Sequence, residues 1–197
     1  MKIGIADCEL LAGNDHKFPN LALMKISGFY KAQGLDERLL TEERAKRLGE
    51  ARYHGVMTFA FDDWNDRNVI IPKMNLLAKY ISRQCRFYVL VGYKSTDIKD
   101  IVEMLERVKN CLERGFLPYI MRYRSKDNCP INSSPYKPVY TEITRWCNAV
   151  LPCKSATLQE WLDAGGYFSK KGTIALKQLL IDNPDLKPFY HMKFVKR

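Results

Sequence analysis

A regular alternation of strand-like and helix-like segments is the feature that most constrains the fold of this 197-residue chain. Apolar runs predict strands at about 56–61, 87–91 and 117–121, whose first residues lie 31 and 30 positions apart. A βαβ unit occupies ~30 residues. Two such units in succession predict an α/β fold with parallel strands and right-handed helical crossovers.

Helix signals occur before the first of these strands and between the strands. Thr41 is a good N-cap, and the two glutamates after it suit the positive end of a helix dipole, so a helix is expected to about Tyr53. Asn65 or Asp66 is the expected cap of the next helix. The helix before the third strand has the clearest apolar periodicity and ends at Gly115; its apolar positions are Ile101, Met104, Leu105, Val108, Cys111 and Leu112. The continuous apolar run at 56–61 predicts a strand buried on both faces.

The two ends of the chain follow other patterns. Residues 1–34 predict a strand, a loop and a helix, and residues 126–197 predict a helical appendage after a proline-rich loop. Helices are expected at 138–150, where Val150 would point inward, at a capping box formed by Thr157 and Glu160, and at 173–181. All three parts are expected to form one compact domain.

Composition limits the functional classes. The formal charge is +10, which is typical either of a solvated basic surface or of a protein that contacts a polyanion such as nucleic acid. No apolar run reaches 18 residues, so no membrane span is predicted, and the first residues do not resemble a signal peptide. A cytoplasmic location is therefore expected.

Six cysteines are present, and none are spaced C-x-x-C. They are expected to be reduced, and those within strands and helices to behave as small buried hydrophobic residues. A metal site built from Cys129, Cys147 and Cys153 is the alternative, although the gaps between them fit no standard zinc pattern.

Parallel sheets bind ligands beyond the carboxyl ends of their strands. The candidate residues there are Asp7, Asp62, Asp63, Gly92, Lys94, Ser95, Arg122 and Arg124. The two adjacent aspartates suit a metal or a sugar hydroxyl, or else cap the next helix. Gly92 lies outside any phosphate-loop motif but allows close approach to a flat ligand. The arginines suit a carboxylate or a phosphate, or else are solvated strand ends. Neither H-E-x-x-H nor G-x-S-x-G occurs.

Several segments together resemble one family. The segments Lys2-Ile-Gly-Ile-Ala-Asp7 and Phe18-Pro-Asn-Leu-Ala-Leu-Met-Lys-Ile-Ser27 resemble the start of a bacterial group of radical S-adenosylmethionine proteins with a short cobalamin-binding-like N-terminal region. The segments that resemble the second half of its barrel are Gln33-Gly-Leu-Asp-Glu-Arg-Leu-Leu-Thr-Glu-Glu43, Phe59-Ala-Phe-Asp-Asp63, Tyr88-Val-Leu-Val-Gly-Tyr93 and Gly115-Phe-Leu-Pro-Tyr-Ile-Met121. Arg145-Trp-Cys-Asn148 resembles its C-terminal helix.

The resemblance implies that residues 35–125 form a partial, TIM-type half-barrel or an open sheet, with S-adenosylmethionine as the cofactor. The strand Tyr88–Val91 with Gly92 resembles the adenine-contacting strand, and Asp36 and Arg38 match charged residues that would face the barrel interior. With the edge residues above, the candidate cofactor-binding residues are Asp36, Arg38, Asp62, Tyr88, Leu90, Gly92, Lys94, Ser95 and Arg122.

The sequence departs from the family at the motif that carries the chemistry. The C-x-x-x-C-x-x-C motif for a [4Fe–4S] cluster is absent, and the two matched blocks meet at Gln33-Gly34 as though an internal segment were deleted. The expected function is thus that of a cluster-less remnant whose half-barrel binds a nucleotide-like ligand or a partner, with a second copy or the C-terminal helices covering its strand edges. The alternatives are a non-catalytic basic module that contacts nucleic acid, and an enzyme with a non-standard cluster site.

Overall fold

The computed structural model describes residues 40–51, 56–124, 128–166 and 170–197. The predicted N-terminal unit, and with it Asp7, Asp36 and Arg38, lies outside the described residues. The helices and strands, in chain order, are α1 (Glu42–Glu50), β1 (Met57–Ala60), α2 (Arg67–Tyr80), β2 (Cys85–Val91), α3 (Ile98–Glu113), β3 (Leu117–Arg122), α4 (Lys137–Asn148), α5 (Val150–Ser155), α6 (Leu158–Asp163) and α7 (Lys170–Asp182).

The three strands form one sheet in the order β1-β2-β3, and they are parallel, as the spacing predicts. The register pairs Met57 with Cys85 and Ala60 with Tyr88, and on the other side of β2 it pairs Tyr88 with Tyr119. Consecutive strands that are neighbours require each crossover helix to return over the same face of the sheet when the crossovers are right-handed. The described strands therefore have the order of one segment of a singly wound barrel or of an open sheet.

Local signals place the helix boundaries. Thr41 caps α1 by accepting a hydrogen bond from the Arg44 backbone N–H at 3.3 Å, which confirms the predicted start. Asp63, rather than Asn65 or Asp66, provides the side-chain cap before α2, because a short 3₁₀ turn at Trp64–Asp66 intervenes. α3 ends before Gly115, whose φ of 68° lies in the left-handed region that suits a helix C-terminus.

The sheet is buried on one face, which corrects the prediction of a first strand buried on both. Along β2, four residues are buried and alternate with three that are half-buried. β1 alternates in the same way, with Met57 and Phe59 buried. The less buried side carries Leu117, which is buried, and seven residues that are called the half-buried face below, namely Thr58, Ala60, Arg86, Tyr88, Leu90, Tyr119 and Met121. A continuous apolar run does not distinguish this arrangement from full burial, because alanine, threonine and tyrosine are tolerated on both kinds of face.

The C-terminal third is helical, as predicted, with α4 packed against β3 and α7 packed against α4. The predicted helix over 138–150 ends earlier, at Asn148, and Val150 begins α5 with 38% of its surface exposed, so its predicted inward orientation is wrong. The capping box of Thr157 and Glu160 is confirmed at the start of α6. The Asn148 side chain accepts the Ile120 N–H at 2.7 Å and donates to the Ile120 carbonyl at 3.1 Å. The end of α4 therefore covers the edge of β3 at Ile120.

Candidate functional site

A buried arginine fills the carboxyl edge of the sheet, where sequence reasoning places the ligand. Arg107 is 3% exposed, and its Nη1 donates to the carbonyls of Phe61 at 3.0 Å, Asp62 at 2.6 Å and Leu90 at 2.8 Å. Its Nε donates to the Glu103 carbonyl at 3.0 Å. Burial lowers the pKa of Arg107, while the nearby carboxylates oppose that shift. The Arg107 guanidinium, carried by α3, therefore joins the ends of β1 and β2. The carbonyls that it binds are not available to a ligand.

The two aspartates after β1 serve this same edge. An Asp62 carboxylate oxygen accepts the Leu90 N–H at 3.3 Å, and Asp63 accepts the Asn65 N–H at 2.9 Å as the cap of the 3₁₀ turn. Partial burial of its carboxyl group raises the pKa of Asp62, and the hydrogen bond from Leu90 and the charge of Arg107 counteract the rise. The structure therefore brings Asp62 and Leu90 together, through a hydrogen bond from the Leu90 backbone to the Asp62 side chain.

Gly92 has a packing role at the end of β2. Its φ is 83°, and a Cβ placed on it would lie 2.3 Å from the side chain of Ile131. Its N–H donates to Asp100 at 2.9 Å, and the same carboxylate oxygen accepts the Tyr140 hydroxyl at 2.7 Å. Burial, and then the hydrogen bond to Asp100, raises the pKa of Tyr140. Gly92 therefore gives close approach to a side chain of this protein, while Asp100 links three elements.

The remaining candidates on this edge contact other parts of the protein or are exposed. Lys94 is exposed in the turn after β2, and Ser95 is 4% exposed, with its carbonyl accepting the Ser134 hydroxyl. Arg122 donates to the Thr141 hydroxyl of α4 at 3.3 Å. Arg124 is exposed beyond the end of β3. The described part of this edge is thus a set of internal hydrogen bonds flanked by exposed cations.

Aromatic and cationic side chains lie together on the half-buried face instead. Tyr88 and Tyr119 are direct partners across β2 and β3, with ring centroids 5.6 Å apart and ring planes inclined by 60°. The Arg86 guanidinium lies 5.0 Å from the Tyr119 ring centroid. Leu90 and Met121 continue this face toward the carboxyl ends, where Met121 is 39% exposed. These side chains form a flat apolar and aromatic surface with one adjacent positive charge.

Most of the described cysteines are buried thiols. Burial raises the pKa of Cys153 to about 12 and that of Cys147 well above its ordinary value, so both thiols are protonated at neutral pH. Those two thiols interact with buried Cys111, whereas Cys129 is half-buried beside the 3₁₀ turn at Pro130–Ser133. Within the described residues, no group of three or more histidine, cysteine, aspartate or glutamate side chains is arranged to hold a metal ion. The predicted alternative set of Cys129, Cys147 and Cys153 is not arranged as a metal site.

Sequence reasoning missed Arg107 and Asp100, which organise the carboxyl edge of the sheet, and Asn148, which bonds the edge of β3. One signal for Arg107 was available, because it lies within the apolar stripe of α3, three residues after Met104 and four before Cys111. A charged residue in such a stripe predicts an internal partner. Its partners are backbone carbonyls, which carry no sequence signature.

Comparisons of the chain with protein-family models, with curated proteins and with solved structures found no match in any of the three. Across the described ranges, no helix is both long enough and apolar enough to cross a membrane.

Proposed function

We propose that this chain is a radical S-adenosylmethionine-like protein without a cluster, and that its half-barrel binds a nucleotide-like ligand on the half-buried face. The observation that carries the proposal is the pair Tyr88 and Tyr119 with Arg86 beside it. Aromatic side chains on a sheet are a recurring platform for nucleobases, because every base presents a π face. The adjacent guanidinium suits the phosphate, ribose oxygens or carboxylate of such a ligand.

The sheet order supports a half-barrel as the scaffold. The strands are parallel, and each is the neighbour of the next along the chain. α3 packs on β2 and β3, and α4 packs on β3. In a closed barrel of this type, the face opposite the helices is the interior, to which loops at the carboxyl ends give access. The half-buried face holds the corresponding position here.

The ligand contacts would come from side chains. The backbone of β2 is already engaged near its end, since the Tyr88 carbonyl accepts the Phe61 N–H at 2.7 Å and both polar backbone groups of Leu90 have partners. The resemblance implies that this strand contacts adenine through its backbone and apolar side chains. In this chain the side chains of Tyr88 and Leu90 remain for that contact.

We propose binding without reductive cleavage of S-adenosylmethionine. The cleavage needs an electron from an iron–sulfur cluster with one iron open to the cofactor, and the sequence lacks the C-x-x-x-C-x-x-C motif that holds such a cluster. Anaerobic reconstitution with iron and sulfide tests this part directly. Visible absorbance typical of a cluster, together with cleavage of the cofactor, would overturn the cluster-less assignment.

The binding test uses adenosine and S-adenosylmethionine as probes in isothermal titration calorimetry. Loss of one base-stacking ring costs ~1–3 kcal/mol, so Tyr88→Leu and Tyr119→Leu are expected to weaken binding by about 5- to 150-fold. Tyr93→Leu is the matched control, because Tyr93 is 67% exposed, packs edge-on against Tyr123 and is not one of the residues that form the half-buried face. No binding of either probe, or an equal loss in the control, contradicts the proposal.

A further inference from the structure

A basic cleft lies at the amino ends of the strands, on the edge opposite the site described above. Its volume is about 440 Å³, within the range of small-molecule sites. The loop before β2, the turn before β3, α5 and the last residues of the chain line it. The lining residues are Ser82, Arg83, Gln84, Gly115, Lys154, Lys193, Phe194, Lys196 and Arg197.

Specific contacts hold the wall formed by residues 193–197. The Val195 N–H donates to the Leu112 carbonyl at 3.0 Å. The Arg197 guanidinium donates to the carbonyls of Ile81 at 3.0 Å and Gly115 at 3.3 Å. It also lies 4.2 Å from the Phe116 ring centroid. The cleft is therefore built from tertiary contacts between the sheet and a distant segment of the chain.

The charge of the cleft exceeds what the fold itself requires. Five of the nine lining residues are basic, and none is acidic. α2 and α3 end at this edge, and each helix C-terminus is equivalent to about half a negative charge, so the two together offset about one unit. Arg197 meets that need, because the carbonyls it bonds follow the ends of these two helices.

Of the four other cations, Arg83 donates to the Ala51 carbonyl at 2.5 Å, and the remaining three are lysines. Lys154 lies over the Phe194 ring at 5.5 Å, a contact that leaves its charge in place. The Glu160 carboxylate lies near Lys193 but is engaged in the capping box of α6. None of the ion pairs within 4.0 Å among the described residues involves Lys154, Lys193 or Lys196.

We propose that this cleft is an anion site for clustered phosphate oxygens, distinct from the half-buried face. A pyrophosphate-sized group carries the charge density that several converging lysines neutralise best. The same chemistry comes from two sources, a free polyphosphate or the backbone of a single-stranded RNA. This inference does not depend on the proposed binding of an adenosine-type ligand elsewhere.

The test compares two triple variants of equal net charge. Lys154→Gln, Lys193→Gln and Lys196→Gln together remove the cleft lysines. The control removes three exposed lysines that do not line the cleft, namely Lys46→Gln, Lys170→Gln and Lys171→Gln. Circular dichroism verifies that both variants fold. Calorimetry then measures binding of inorganic pyrophosphate, and fluorescence anisotropy measures binding of a labelled single-stranded RNA of about ten nucleotides, each over a series of NaCl concentrations.

The expected result is saturable binding that weakens at least about tenfold in the cleft variant, stays near the wild-type value in the control, and falls as salt rises. Binding of pyrophosphate with that pattern identifies a free polyphosphate site, and binding of the RNA alone identifies a phosphate-backbone site. Either result supports the anion site. Equal loss in both triple variants, or no binding of either probe, overturns it. Adenosine carries no charge, so its binding reports on the half-buried face independently.

Discussion

Removing the Arg107 guanidinium should test whether this side chain holds the carboxyl edge together. The substitution Arg107→Met keeps a long side chain but takes away the donor shared by the carbonyls of Phe61, Asp62 and Leu90. A buried acceptor left without its partner costs about 1 kcal/mol at the lower end of measured values. Three such carbonyls predict a loss of about 3 kcal/mol in the free energy of unfolding. Arg107→Lys is expected to lose less, because an ammonium retains three donors on a shorter side chain.

Urea unfolding followed by circular dichroism measures these free energies. The matched control is Lys99→Met, which removes one positive charge from an exposed position of the same helix, where 74% of the side chain is accessible. An exposed ion pair contributes about 0–1 kcal/mol, so the control should change little. A free energy of unfolding for Arg107→Met within about 0.5 kcal/mol of the control would contradict this role of Arg107, because the carbonyls would then find other partners at no cost.

Two further predictions concern packing and protonation. Gly92→Ala combines the left-handed strain of ~1–2 kcal/mol with an overlap of side chains, whereas Gly165→Ala has a φ of 91° but nothing within 4 Å of the added Cβ. Thermal unfolding should therefore show a larger loss for Gly92→Ala, and equal losses would contradict the close packing. Burial raises the pKa of Cys85 to about 11 and that of Cys153 to about 12. Because the unfolded thiols ionise first, stability should fall as pH rises from about 8.5 toward those values. A free energy of unfolding that does not change between about pH 8 and pH 10 would contradict the raised pKa values of these two thiols.

The sequence by itself determined the features that depend on local chemistry. Thr41 and the Thr157–Glu160 pair act on backbone groups within three positions, and Gly115 supplies a left-handed residue directly after a helix. The spacing of the apolar runs is likewise sufficient for the parallel direction of the three strands, since a helix of that length allows each strand to run in the same direction as the one before it. These features could be predicted without knowledge of the tertiary contacts between helices and strands.

The tertiary structure decided which side chains occupy the ends of the strands. Arg107 bonds a carbonyl 46 positions away, and a carbonyl is common to every residue, so nothing in the sequence designates it as the partner. The same applies to the second face of the sheet, because its burial depends on what covers it and the apolar runs are compatible with either outcome. The basic cleft arises only when residues near 83 and 115 meet residues 193–197. Charges spread along a chain acquire a shared location through folding, and for that reason the overall charge of +10 alone could not place an anion site.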